Sequence, residues 1–191
     1  LGLVALTGVG FAVASILSNE YQRRRVTSFL HPWAQAAGDG YQLTQSLIAI
    51  GSGGTWGSGF GLSHQKLFYL PIQYTDFIFA VFAEEFGFVG CIVLLLLIMT
   101  WGTVAVFIAS QAQNRVHRLI AVGALIFIVG QALINIAVAT GSLPTTGLPF
   151  PLFSYGGNSV LASLFLAALV IRVARENQEG NLVEFRQPSR Q

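Results

Sequence analysis

Long apolar runs alternate along the chain with short polar or glycine-rich stretches, and the spacing of the charged residues marks the boundaries. No charged side chain occurs from Leu1 to Asn19, from Phe86 to Asn114 or from Leu119 to Ile171. A helix needs about 20 apolar residues to cross the hydrocarbon core, so each of the first two runs predicts one span. The third run is too long for one crossing. It is interrupted by Gly141-Ser-Leu-Pro144-Thr-Thr-Gly147-Leu-Pro149-Phe-Pro151, whose three prolines and two glycines stop a helix and force a turn. The pattern predicts an all-α polytopic membrane protein with four spans at about 1–18, 77–105, 119–140 and 153–172. A loop over residues 20–75 is expected to hold short or re-entrant helices, and a turn over 141–152 joins the last two spans. The polar stretch 177–191 reads as a mostly disordered tail. Residues 1–18 lack a basic n-region and a clear small-residue cleavage site, so they read as a span and not as a signal peptide.

Composition agrees with this pattern. Of 191 residues, 53% are hydrophobic and 9% charged, against roughly 25% charged in an average soluble domain. Mean hydropathy is +0.65, which excludes a disordered chain. The first residue, Leu1, lies inside an apolar stretch without an initiator Met, so the chain is expected to be part of a longer protein.

Charge sets an orientation. Four basic residues (Arg23, Arg24, Arg25, Lys66) fall on the side of the 20–75 loop. Six (Arg115, Arg118, Arg172, Arg175, Arg186, Arg190) fall on the side of the tail, so the positive-inside rule places the C-terminus in the cytoplasm and the long loop outside. Three adjacent arginines on the outer face then read either as a site for an anionic ligand or as an anchor among lipid headgroups. Cys91 is the only cysteine, which excludes a disulfide framework. His31, His64 and His117 are too scattered for a local zinc motif.

Two stretches of the outer loop bear on chemistry. Gly51-Ser-Gly53-Gly54-Thr-Trp56-Gly57-Ser-Gly59-Phe-Gly61 holds six glycines in eleven residues. It fits no G-x-G-x-x-G register, no strand precedes it, and Gly61-Leu-Ser63-His-Gln65 lacks the final glycine of a nucleophile elbow. What remains is backbone freedom, suited to a sharply bent segment lining a cavity at membrane depth. Ser63 is placed to cap a short helix carrying Lys66 and ending at Pro71. Asp76 then opens an apolar helix, and an ionisable residue at a membrane boundary is a functional candidate. The alternative is that Asp76 and Thr75 only cap that helix. Glu84 and Glu85 sit deeper and suit burial against a polar partner. On a continuous helix Asp76 and Glu84 would be about 12 Å apart, too far to share a proton.

Several separate motifs carry a family resemblance. Arg24-Arg25-Val-Thr-Ser-Phe29, Gly40-Tyr-Gln42-Leu-Thr-Gln45-Ser46, Gly51-Ser-Gly-Gly54, Gln65-Lys66-Leu-Phe-Tyr69-Leu-Pro71, Thr75-Asp76-Phe-Ile-Phe-Ala80, Glu84-Glu-Phe-Gly87 and Leu148-Pro-Phe-Pro151-Leu-Phe-Ser154-Tyr-Gly-Gly157 occur in this order. Together they resemble the SEDS family of bacterial cell-wall polymerases, and Gln65-Lys66 is closer to its cell-division branch than to its elongation branch. The resemblance implies a fold of about ten transmembrane helices, of which residues 1–176 would be the C-terminal part. It implies a peptidoglycan glycosyltransferase that polymerises lipid II during septal wall synthesis, in the bacterial cytoplasmic membrane. Asp76 would be the catalytic residue. Arg24, Arg25, Lys66 and Gln45 would bind substrate, with Arg23, Glu84, Glu85 and Ser154 in support. A divalent cation, Mg or Mn, on the substrate pyrophosphate is compatible with this chemistry, although no ligand cluster in the sequence requires one. Expected partners are lipid II, a class B penicillin-binding protein and other division proteins, with no nucleic acid.

The chain departs from the family pattern at Ile72 and Tyr74, where an acid and a histidine are common, and at Asn158, where a serine is common. A lipid II flippase, in which Asp76, Glu84 and Glu85 would line a transport path, and a non-catalytic scaffold of the division machinery are the alternatives that composition does not separate.

Overall fold

The structure is a computed structural model that describes residues 19–63 and 76–186. The expected first span at 1–18, Lys66 and residues 187–191 lie outside the described residues. Among the described residues every regular element is helical. On the loop side, α1 (Glu20–Leu30) leads through a 3₁₀ turn (Trp33–Gln35) into α2 (Tyr41–Gly53). The long helix α3 (Ile78–Gln111) follows, and then α4 (Arg115–Leu125), whose first turn is capped where the Asn114 side chain accepts the Val116 N–H. A π segment (Ile126–Gly130) carries α4 into α5 (Gln131–Ala139), and α6 (Gly157–Arg186) closes the order.

Three stretches are long and apolar enough to cross a membrane: Ile78–Gln111, Arg115–Ala139 and Gly157–Gln178. They correspond to the second, third and fourth expected spans. The last helix corrects the sequence reading, because α6 continues to Arg186, through residues expected to be disordered. The reasons are local and tertiary. No proline interrupts the stretch before Pro188. Arg172 pairs with Glu176 one turn on at 2.7 Å, Glu176 also meets His117 at 2.7 Å, and Asn177 donates to the Ile108 carbonyl at 3.0 Å.

Packing differs between the two ends of the bundle. On the tail side the helices meet through small side chains: Ala105 and Ala109 of α3, Ala121 and Ala124 of α4, and Val170 and Val173 of α6 are buried together. Hydrocarbon outside the bundle is as apolar as leucine, so close approach of backbones and not hydrophobicity holds such helices together. Large residues accordingly point outward, among them Leu97, Phe107, Leu119, Leu161 and Phe165. On the loop side a second core gathers Phe77, Phe79 and Val81 of the α3 entry with Ala132 and Val138 of α5 and Phe150 of the turn.

Length alone would make α3 awkward. Its 34 residues would span about 51 Å as one straight helix, against a hydrocarbon core of about 30 Å. The helix breaks at Gly87, where φ is 65° and ψ is −166°. The break frees backbone groups on both sides, and the glycine-rich loop fills them. Ser58 N–H donates to the Glu84 carbonyl at 2.9 Å and Gly59 N–H to the Glu85 carbonyl at 3.1 Å. In return the Gly54 and Thr55 carbonyls accept the N–H groups of Phe88 and Val89 at 2.9 and 3.2 Å. The sharply bent segment read from the six glycines therefore leaves α2 as a turn that plugs the broken helix.

A Cβ on residue 87 would lie 2.3 Å from the Gly57 nitrogen, in a backbone region that only glycine occupies readily. Gly87→Ala is expected to cost about 3 kcal/mol or more, seen as a lowered thermal unfolding temperature of the full-length protein in detergent. Gly51→Ala, on the open face of α2 with nothing within 4 Å, is the control and is expected to be neutral or to stabilise by up to about 1 kcal/mol.

Candidate active site

Asp76 stands just ahead of α3 and is half-buried. It does not cap the helix: the N-cap position belongs to Phe77, with no side-chain cap bond. That removes the capping alternative and leaves the carboxylate for other work. Its backbone is held from α5, where the Asn135 side-chain nitrogen donates to the Asp76 carbonyl at 2.8 Å. The same nitrogen donates to the Leu148 carbonyl at 2.8 Å, so one side chain ties the α3 entry to the 141–152 turn.

The turn is irregular backbone whose polar groups are met by side chains. Gln131, one helical turn before Asn135, donates to the Pro149 carbonyl at 2.7 Å. Ser154 accepts the Phe150 N–H at 2.7 Å. At its other end, Arg25 of α1 donates to the Thr145 carbonyl at 2.8 Å. Gly147 adopts φ 72°, and a Cβ there would be 3.6 Å from Asp76 Oδ2. The carboxylate therefore lies against the bare backbone of the turn.

The same turn, through Thr145, also borders a cleft of about 420 Å³ lined by Arg24, Arg25, Gly38, Asp39, Tyr41, Gln42 and Thr145. Thr145 and Gly147 are two residues apart, at most about 7 Å of chain. Arg24 is exposed and paired with Glu20 at 2.8 Å, and that hydrogen-bonded carboxylate, with Asp39 further off, holds its guanidinium above the ordinary pKa. The cleft therefore presents two guanidinium groups, Arg24 and Arg25, beside the carboxylates of Asp39 and Glu20.

The remaining candidates separate by environment. Glu84 and Glu85 are buried, at 2% and 6% exposure, and the Ser63 hydroxyl donates to the Glu84 carboxylate. This matches the expected burial against a polar partner, and it gives the Ser63 hydroxyl a role in tertiary packing. Ser154 is buried in the turn that it closes. Arg23 is exposed and outside the cleft, and Gln45 does not line it either. Gln42, three residues earlier on α2, takes that place with Tyr41 and Asp39. Lys66 lies outside the described residues. The sequence reading passed over Asn135 and Gln131. Two amides four residues apart inside an uncharged run were the available signal, because a polar side chain at membrane depth needs a partner.

Comparison with known proteins agrees with the resemblance. A family model described as "Cell cycle protein", built on FtsW, RodA and SpoVE, matches residues 1–179. The chain is 61% identical over 179 residues to the "Probable peptidoglycan glycosyltransferase FtsW" of Synechocystis, covering 94% of this chain and 46% of that protein. It is 43% identical over 177 residues to the stage V sporulation protein E of Bacillus subtilis, covering 92% and 47%. A solved structure described under "Structural coordination of polymerization and crosslinking by a peptidoglycan synthase complex" matches with a TM-score of 0.70 at 31% identity, over 92% of this chain and 48% of that one. The chain thus spans about half the length of the curated relatives it matches. By family model, by relatives and by fold, the chain belongs to the SEDS family of FtsW, RodA and SpoVE.

Proposed function

We propose that the protein to which this chain belongs is a peptidoglycan glycosyltransferase that polymerises lipid II into glycan strands during septal wall synthesis. The observation that carries this reading is that one short turn borders both the Asp76 carboxylate, at Gly147, and the Arg24/Arg25 cleft, at Thr145. Glycosyl transfer from a lipid pyrophosphate needs two things. The acceptor hydroxyl needs a base within hydrogen-bond reach, and the departing pyrophosphate needs cations where its charge develops.

In this reading Asp76 takes the proton as the acceptor oxygen bonds to the anomeric carbon of the donor. The bond from that carbon to the pyrophosphate oxygen breaks on the opposite face, which inverts the centre as in inverting glycosidases. Arg24 and Arg25, with Lys66, receive the pyrophosphate. No general acid is required, because pyrophosphate is already a good leaving group. Glu84 and Glu85, buried against the glycine-rich loop, serve the fold. Among the described residues no three His, Cys, Asp or Glu side chains are grouped to hold a metal ion. A divalent cation, if used, would draw chiefly on substrate oxygens.

The working partner in this proposal is a class B penicillin-binding protein, beside other division proteins. The description of the solved relative as a complex that coordinates polymerization and crosslinking supports that assignment. The proposed orientation places the α1–α2 side outside the cytoplasmic membrane and the end of α6 inside it.

Three measurements test this. In a Cys91→Ala background, a cysteine at the exposed Ala37 should react with a membrane-impermeant thiol reagent in intact cells, and one at the exposed Gln113 should not; the reverse pattern overturns the orientation. Asp76→Asn in the full-length protein with its partner should retain lipid II binding but polymerise lipid II in detergent at least about 100-fold more slowly. Near wild-type strand synthesis by folded Asp76→Asn protein would remove the base, while a wild type that makes no strands and moves lipid II across sealed vesicles would make the protein a flippase. Arg24→Gln should raise KM for lipid II and flatten its salt dependence, since exposed charges are screened over about 8 Å at physiological ionic strength. An unchanged KM and salt response would return Arg24 to a headgroup anchor.

A further inference from the structure

We propose that Asn135 is a positioning residue for Asp76: its side-chain amide sets where the carboxylate stands by clamping the α3 entry and the 141–152 turn to one point on α5. The inference rests on the reading of Asp76 as the base, and it adds a residue to which neither the family motifs nor the relatives' names assign a role.

Asn135 is 1% exposed and sits 59 residues from Asp76 in sequence. Its nitrogen donates both of its hydrogens, one to the Asp76 carbonyl and one to the Leu148 carbonyl, each at 2.8 Å. Its oxygen is buried and accepts no hydrogen bond among the described residues. A buried amide that leaves its acceptor unused is held at this position for its donors. Both donors go to backbone, so they locate main chain and leave side chains free to react. One of the two carbonyls belongs to Asp76 itself. The other belongs to Leu148, the residue after Gly147, against which the Asp76 carboxylate lies. Moving either contact changes the distance between the base and the turn that borders the arginine cleft.

The helix is built to present this face. Ile126–Gly130 is a π segment, which takes more residues per turn than an α-helix and so resets the register of everything after it. Each residue advances an α-helical face by about 100°. Downstream of the π segment, Gln131 and Asn135 lie one above the other on the side of the turn, and Gln131 donates to the Pro149 carbonyl. The two amides therefore divide the work. Gln131 holds the turn alone, whereas Asn135 holds the turn and Asp76 together.

That division supplies the test. In the full-length protein with its partner, Asn135→Leu keeps the branched side-chain shape and removes the donors, and Gln131→Leu removes the donors one turn away. Asn135→Leu is expected to lower kcat for lipid II polymerisation at least 30-fold with KM within threefold of wild type, because the substrate cleft is untouched while the base is misplaced. Gln131→Leu is expected to keep kcat within about threefold. Asn135→Asp, which has the shape without the two donors, is read in the same way if the leucine variant does not fold. Equal losses in the Asn135 and Gln131 variants would assign the effect to the turn as a whole and overturn the proposal. So would near wild-type kcat in a folded Asn135 variant, or failure of both Asn135 variants to fold while Gln131→Leu folds. If wild type makes no strands, the glycosyltransferase reading itself fails; if Asp76→Asn is inactive and Asn135→Leu is active, only the positioning role fails.

Discussion

Irregular backbone in a membrane protein survives only where protein groups meet its polar atoms, since hydrocarbon offers no partner. The loop-side half of this chain is organised around that constraint. The broken helix at Gly87 is filled by the main chain of residues 54–59, four backbone hydrogen bonds running between the two segments. The 141–152 turn, which has almost no regular pairing of its own, is held by side chains of Arg25, Gln131, Asn135 and Ser154. Arg25, Gln131 and Asn135 donate from outside the turn to its carbonyls, and the Ser154 hydroxyl accepts the Phe150 N–H. The result is a non-helical segment whose backbone polar groups are met by side chains from α1 and α5.

The same constraint explains the division of labour among the carboxylates. Glu84 and Glu85 lie directly before the break, where their carbonyls pair with the loop and Glu84 receives the Ser63 hydroxyl. Burial and close pairing make them parts of the joint. Asp76 is placed differently. It precedes the helix, gives its carbonyl to the Asn135 amide, and holds its carboxylate against Gly147, two residues along the turn from Thr145 in the wall of the Arg24/Arg25 cleft. A carboxylate can serve as a base only if it is fixed in place yet still reachable, and among the acidic residues near this turn Asp76 best meets both conditions.

The tail-side half obeys another rule. Alanines at the crossings of α3 and α4, with valines of α6, let backbones come close, and the bulky residues point out of the bundle. This half is a plain bundle that gives the loop-side half a stiff base. Its contacts also carry α6 past the expected end of its span, because Glu176 and Asn177 are tied to the neighbouring α3–α4 corner.

Hydropathy and charge spacing were enough to locate the spans at 77–105, 119–140 and 153–172 to within several residues at most ends, since crossing a bilayer is a requirement on local composition and length. The glycine run announced a bent segment, and the ordered motifs announced the family, with Asp76 and the arginines as its candidates. Each of these is a property of contiguous residues. Only the tertiary structure decided which residues meet. The loop that plugs the Gly87 break lies some 30 residues upstream of it, Gln42 and not Gln45 reaches the cleft, and Asn135 reaches back 59 residues to Asp76. The helix break and the π segment reset the register of the residues that follow them. No periodicity in the sequence records such shifts, because they are settled by which arrangement leaves the fewest backbone groups unpaired once all the helices are packed.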